Sequence, residues 1–272
     1  MTDHRDIDGY DRQRVAEMYD LDRRYHALKD IAFYADEAAR SDGPVLELGC
    51  GTGRVTLAMA ARGVEVVGVD RSEPMLEVLT KKLAEADDDA ARRVQVLCGD
   101  VRALTLDRRF PLVAMPFRVM QHLVKIDDQM AALESVRRHL TPGGRFVFDV
   151  FYPDVGILAR GGEPEAEDFP WTEIDGGLTI RRTSTISKVD LARQVLHSSV
   201  FYHVRDGSGK EERFEHAFEH RYFFRWELEH LLSRAGFAIE SFYADFDRTP
   251  IDKPRFPKEQ IVTARSDETG FG

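Results

Sequence analysis

Three glycines at alternate positions, Gly49, Gly51 and Gly53, interrupt an apolar run that begins Val45-Leu46-Glu47-Leu48 and resumes as Val55-Thr56-Leu57-Ala58-Met59. Cys50 and Thr52 lie between them, and Arg54 closes the turn. Glycine reaches positive φ without a Cβ penalty, so a ligand can lie directly against such a backbone. If a helix follows, the amides of Thr52, Gly53 and Arg54 point out of its first turn and attract an anionic or strongly polar group. Seventeen residues beyond Gly53 a second apolar run ends in Asp70, followed by Arg71. A carboxylate at the end of a neighbouring strand offers two acceptor oxygens to a vicinal diol, the feature by which α/β folds hold a ribose. A third run closes on Gly99-Asp100-Val101, and a fourth passes through Met115 into Pro116-Phe117. Four groups are candidates for moving a proton: His122, His216, His220 and Tyr222, with Tyr152 as an outsider.

These residues need a framework that brings strand ends together. Apolar runs at 45–48, 64–70, 94–101, 112–115 and 145–151, separated by helical patterns, predict an open parallel sheet. Ser72-Glu73-Pro74 reads as a cap and early proline opening one helix, and 127–140 reads as another, with Met130, Leu133, Val136 and Leu140 on its core face. Upstream, apolar residues at Val15, Met18, Leu21, Leu28, Ile31 and Tyr34 predict two helices within 11–40, after a frayed 1–9. The segment 154–177 is rich in Gly, Pro and acid and reads as a connection or lid. Period-two patterns at 178–188, 194–205 and 212–224 predict three antiparallel strands. A helix at 226–234 and strands at 238–246 and 261–265 complete the pattern, the last expected antiparallel beside its predecessor.

On the third inserted strand one face carries Phe214, His216, Phe218, His220, Tyr222 and Phe224, the other Glu215, Ala217, Glu219 and Arg221. The aromatic face either packs the lobe on the core or forms a wall of a substrate pocket. His216-Ala217-Phe218-Glu219-His220 also spells an inverted zincin motif, but that chemistry needs a helix and this stretch alternates as a strand. No metal site is expected.

The glycine turn departs from the dinucleotide fingerprint, because Arg54 stands where its third glycine is required. Gly-x-Gly-x-Gly with an acid two residues before the first glycine resembles the first motif of the class I S-adenosylmethionine (SAM)-dependent methyltransferases. The resemblance runs from about 45 to 265 and implies an α/β fold: a Rossmann-like seven-stranded sheet, parallel with an antiparallel last strand, helices on both faces and a small antiparallel β insertion. Such an insertion resembles the small-molecule branch that includes sugar-amine N-methyltransferases. The resemblance also implies site residues. Glu47 and Gly49 to Arg54 would hold the cofactor's amino-acid end, Asp70 with Arg71 the ribose, and Gly99, Asp100 and Val101 the adenine. Met75 would pack on adenine or in the core. Met115, Pro116 and Phe117 would shape the methionine end and the acceptor entrance, and His122 would be a base or a structural histidine. The N-terminal segment would cover the sheet edge or close over the cofactor, with Tyr19 and Tyr25 the residues to watch. The domain plan implied is a helical cap at 1–40, a cofactor-binding core at 41–153 and 225–266, and a lid with β lobe at 154–224. The activity implied is methyl transfer from SAM to O or N of a small-molecule acceptor. A NAD(P)-dependent oxidoreductase and a non-catalytic SAM-binding protein are the alternatives.

Composition narrows the partners. In 272 residues, 38 Lys and Arg stand against 48 Asp and Glu, a net charge of −10, which offers no broad footprint for a nucleic-acid backbone. Two cysteines suit a reducing cytoplasm, and no run approaches the length of a membrane span, so neither nucleic acid nor membrane is an expected partner. Oligomeric state is not readable from these features.

Overall fold

A computed structural model describes residues 13–21, 29–174 and 177–266. The positions of Tyr25 and Leu28 and the frayed start lie outside that range. Helices α1 (Gln13–Tyr19) and α2 (Asp30–Ala39) come first. Then β1 (Val45–Leu48), α3 (Arg54–Ala61), β2 (Val66–Asp70), α4 (Glu73–Glu85), α5 (Asp88–Ala91) and β3 (Val94–Cys98) alternate along the chain. Next follow β4 (Phe110–Met115), α6 (Val119–His122), α7 (Ile126–His139), β5 (Leu140–Phe151) and α8 (Val155–Arg160). Four strands come next: β6 (Glu163–Ile174), β7 (Leu178–Asp190), β8 (Val195–Arg205) and β9 (Glu211–Arg221). Helix α9 (Arg225–Arg234) and strands β10 (Phe237–Tyr243) and β11 (Glu259–Ser266) end it.

The main sheet has seven strands in the order β10-β11-β5-β4-β1-β2-β3. Strands β1 to β5 pair in parallel, while β11 runs antiparallel between β5 and β10, as the sequence pattern predicts. The central strands β1, β2 and β4 are largely apolar and buried because both faces are covered. Leu46, Leu48, Val113, Phe146 and Phe148 point to the side of α7 and α9. Val45, Leu112, Ala114 and Val147 point to the side of α2 and α3, against Phe33, Tyr34, Val55 and Met59. Strand order reverses at β1, between β4 and β2, which opens a crevice at the carboxyl ends of those strands.

A second sheet, β6-β7-β8-β9, is antiparallel throughout. Here two expectations are corrected. Residues 163–174, read as part of a connection or lid, form β6, which pairs with β7 from Glu163↔Ile186 to Ile174↔Leu178. Register shifts along this pair obscure period two, and acids on an edge strand hide its character. The third inserted strand ends at Arg221 rather than 224, because Tyr222 and Phe223 are both buried, in different clusters. Tyr222 packs with Leu158 and Leu196 of the lobe, and Phe223 enters the main core as the chain crosses to α9.

Candidate active site

The glycine turn between β1 and α3 is pinned to β2. Gly49 N and Cys50 N both donate to the Val69 carbonyl, at 2.7 and 3.1 Å. All three glycines have positive φ. A Cβ at Gly49 would strike Val119 and one at Gly53 would strike Leu79, whereas one at Gly51 would meet nothing within 4 Å. The first and third glycines therefore serve packing, and the second leaves the turn open to the crevice. One expectation fails: Gly53 N turns inward and donates to the Cys50 carbonyl at 2.9 Å, tightening the turn into α3.

The crevice is a cleft over the ends of β1 to β4, within reach of Tyr19 on α1. Its wall includes Glu47, Gly49, Cys50, Gly51, Thr52 and Arg54 from the first motif and Asp70, Arg71 and Met75 from the second. Gly99, Asp100 and Val101 line it from the loop after β3, and Pro116, Phe117 and His122 from the segment after β4. Of the residues expected at the cofactor, Gly53 and Met115 are not in that wall. Gly53 lies over Leu79, and Met115 is fully buried in the core beneath the site.

Asp70 is prepositioned by backbone amides. Its Oδ2 accepts from Gly51 N at 2.8 Å and its Oδ1 from Ser72 N at 2.9 Å. Burial still raises its pKa, with those amides acting against the shift. Glu47 is buried, accepts from Thr56 Oγ1 at 2.5 Å, and is pushed up to about 8 by burial. Asp100 is held below its ordinary value by Arg102, which also reaches Asp128 at 3.2 Å. Arg54 is engaged from below, with two bonds to the Asp30 carboxylate at 2.9 and 2.5 Å, and its guanidinium lies 4.6 Å from the centre of the Phe117 ring.

Phe117 and Arg118 both have positive φ, at 56 and 69°. Such a pair costs roughly 1–2 kcal/mol per residue, and a buried acid holds it. Asp149 Oδ1 accepts from Phe117 N at 2.8 Å and from the Tyr34 hydroxyl at 2.6 Å. Burial raises Asp149 to about 7. Sequence reasoning passed over Asp149 and Tyr34 because their function is contact across the sheet, which leaves no local pattern.

A second cavity adjoins the cleft, and Tyr19, Phe117 and His122 belong to both walls. His216, Phe218 and His220 of β9 form one side, Val200 and Tyr202 of β8 and Arg182 of β7 another, and Arg118, Gln121 and Phe151 the core side. Gln121 ties the two sheets together: its Nε2 donates to the Arg221 carbonyl at 2.8 Å and its Oε1 accepts from Phe151 N at 3.0 Å. Of the candidate proton carriers, His122, His216 and His220 meet here. Tyr222 stays in the lobe core and Tyr152 packs edge-on against Phe224. His216 and His220 share a face of β9, and among the described residues no cluster of His, Cys, Asp or Glu could hold a metal ion. Arg118 and Gln121 come with the segment after β4, whereas Arg182 and Tyr202 carry no motif and are brought here by strand pairing.

The fold and the motif-bearing cleft define a class, the SAM-dependent methyltransferases. Residues 45–144 match the family described as "Methyltransferase domain". Over 140 residues the chain is 36% identical to the cypemycin N-terminal methyltransferase of a Streptomyces species, covering 52% of this chain and 54% of that protein. The chain thus spans about half of that relative's length. It is 26% identical over 236 residues to the dTDP-3-amino-3,6-dideoxy-alpha-D-glucopyranose N,N-dimethyltransferase of Streptomyces fradiae, covering 83% of this chain and 84% of that one. Among solved structures, the CcbJ methyltransferase from Streptomyces caelestis superposes with a TM-score of 0.75 at 28% identity, covering 96% of this chain and 98% of that one. By motif, cleft and topology the chain is similar to the class I SAM-dependent methyltransferases, in a form with an added antiparallel sheet.

The residues present fit that cofactor. The open side of Gly51 leaves room for a ligand against the turn, and Asp70 sits at the strand end where a diol would lie. Glu47 lines the cleft beside the glycine turn, where a cationic amino group would meet it. When bound, SAM supplies a methyl group on a sulfonium, already activated by an excellent leaving group.

Proposed function

We propose that the protein transfers the methyl group of SAM to a nitrogen or oxygen of a small molecule held in the second cavity. The observation that carries this reading is the contact of cleft and cavity at Tyr19, Phe117 and His122. Glu47 and the glycine turn hold the amino-acid end, Asp70 the ribose, and Asp100 with Val101 the adenine. Phe117, fixed from Asp149 and Arg54, separates the two ligands and sets their approach. Catalysis then comes from alignment and from excluding water, which in favourable cases supplies about 7–11 kcal/mol of a barrier.

A protonated acceptor needs a base. His122, at the junction, accepts the proton as the new bond to carbon forms. His220, pushed down to about 3 by burial, His122 and Arg118, stays neutral and orients the acceptor. His216 extends the same wall. The N-terminal segment acts as a cap and the β lobe as the acceptor wall, and the two free cysteines are consistent with a cytoplasmic protein. Among the described residues, no helix is long and apolar enough to cross a membrane.

Calorimetric titration with SAM, S-adenosylhomocysteine and the nicotinamide dinucleotides tests the cofactor half. Micromolar binding of the two sulfur nucleosides, weakened in Asp70→Ala, is expected. Binding of a nicotinamide dinucleotide alone would refute it. Transfer of a labelled methyl group across a panel of amines, phenols and sugars tests the rest; SAM binding with no transfer to any of them would favour a non-catalytic role.

A further inference from the structure

Phe117 stands between cleft and cavity, and two side chains that lie outside both reach it from α2. Asp30 and Tyr34 are one helical turn apart on one face of that helix. Both are buried, at 1% and 0% exposure, and neither lines the described walls of cleft or cavity.

From Asp30 the path runs to the ring of Phe117. Asp30 Oδ1 accepts from Ile31 N at 2.8 Å, which sets the carboxylate against its own helix. Its two oxygens accept from Arg54 Nη1 and Nη2 at 2.9 and 2.5 Å, a bidentate fork that fixes the guanidinium plane in angle as well as place. That guanidinium lies 4.6 Å from the centre of the Phe117 ring. From Tyr34 the path runs to the backbone. The Tyr34 hydroxyl donates to Asp149 Oδ1 at 2.6 Å, and the same oxygen accepts from Phe117 N at 2.8 Å.

Covering the sheet does not require either device. Phe33 and Ala38 already pack α2 against Val45, Val55 and Met59. A buried ion pair such as Asp30 with Arg54 contributes little more stability than apolar side chains of the same volume, and its established use is to fix geometry. Phe117 is also held at a φ of 56°, a conformation that persists only where its surroundings impose it. Methyl transfer supplies a use for such control, since a misplacement of about 1 Å can cost on the order of 100-fold in rate.

We propose that Asp30 and Tyr34 are positioning residues for methyl transfer. Through Arg54 and Asp149 they hold the ring and the backbone of Phe117, and so set the distance and angle at which cofactor and acceptor meet. This rests on the reading of Phe117 as the divider between the two ligands.

The test uses the full chain carrying Tyr34→Phe or Asp30→Asn, both close to isosteric. Amide hydrogen exchange is measured with S-adenosylhomocysteine bound. In Tyr34→Phe, exchange at 116–118 should be about tenfold faster, with β1, β4 and β5 unchanged. With an acceptor found among the amines, phenols and sugars, each variant should lower kcat about tenfold and leave KM and the affinity for S-adenosylhomocysteine within about twofold. In a Phe117→Ala background the same substitutions should change kcat less than about twofold, because the ring they control is gone; a purely structural role would carry the full loss into that background. Should Asp30→Asn fail to fold, Tyr34→Phe, which removes one buried oxygen, decides. Wild-type exchange at 116–118, or faster exchange spread equally through β1, β4 and β5, would overturn the proposal. Absence of transfer by the wild type to any member of the panel would instead overturn the reading on which it rests, and the exchange pattern would still decide whether α2 holds Phe117.

Discussion

Two buried acids set the pH behaviour of the site. Glu47 is raised to about 8 and Asp149 to about 7, both mainly by burial. Above the ordinary carboxylate range and below those values, the folded protein binds protons that the unfolded chain has released. Stability from these groups is therefore fully present at low pH and lost as pH rises through 7 to 8. The melting temperature of the ligand-free protein should fall between pH 5.5 and 8.5 by an amount corresponding to on the order of 3 kcal/mol. Glu47→Gln with Asp149→Asn should flatten that slope; an unchanged slope would show that other groups govern it. A cationic amino group bound beside Glu47 favours its ionised form. Binding of S-adenosylhomocysteine at pH 7 should therefore release a proton, seen as a buffer-dependent binding enthalpy that Glu47→Gln abolishes. Asp149 also positions Phe117. Asp149→Ala leaves the Phe117 amide and the Tyr34 hydroxyl unsatisfied, at about 1–3 kcal/mol each. It should lower kcat for methyl transfer more than it alters cofactor affinity, while Asp149→Asn, which keeps an acceptor oxygen, restores most of the rate.

The β1–α3 turn divides its glycines between packing and binding, and substitution separates the two uses. Gly53→Ala and Gly49→Ala place a Cβ against Leu79 and Val119 in addition to the cost of positive φ, so both should destabilise the fold markedly. Gly51→Ala meets open space and pays only for its φ of 53°, roughly 1–2 kcal/mol. It should fold with a melting point a few degrees lower yet bind S-adenosylhomocysteine at least about tenfold more weakly, because the methyl group occupies the cleft. Wild-type affinity in Gly51→Ala would show that the ligand does not lie against this turn. The spacing of the glycines was legible in the sequence. Their division of labour was not, since it depends on Leu79 and Val119, which arrive from α4 and from the start of α6.

At the scale of the whole molecule, α1 joins the two halves of the site. Val15 and Ala16 pack with Met75 of α4 and Phe214 of β9, and Arg14 pairs with Glu212. At its other end Asp20 accepts from Thr52 Oγ1 at 2.8 Å and pairs with Lys82 at 2.5 Å. The helix thus touches the glycine turn, the cofactor cleft and the lobe together. Hydrogen exchange should show α1 slowing when S-adenosylhomocysteine binds, along with the turn at 49–53. Protection of the turn without α1 would mean that the helix covers the sheet edge and does not respond to the ligand.

The sequence by itself determined the cofactor half. Strand, glycine turn, helix and a strand-end acid are consecutive features whose geometry is local, so spacing put Gly49, Gly51, Asp70 and Asp100 at strand ends, while the seven-stranded sheet and the cofactor came from the family resemblance those features carry. In the second cavity the sequence marked the His216–His220 face and the 116–122 segment, but only the tertiary structure decided that they line one space with β7 and β8. Arg118, Arg182, Tyr202 and His216 come from four segments brought together by strand pairing in the second sheet and by the Gln121 bridge between sheets. Pairing across strands is a long-range choice that period two does not encode, and the same limit hid β6 and placed Tyr222 in the lobe core and not at the site.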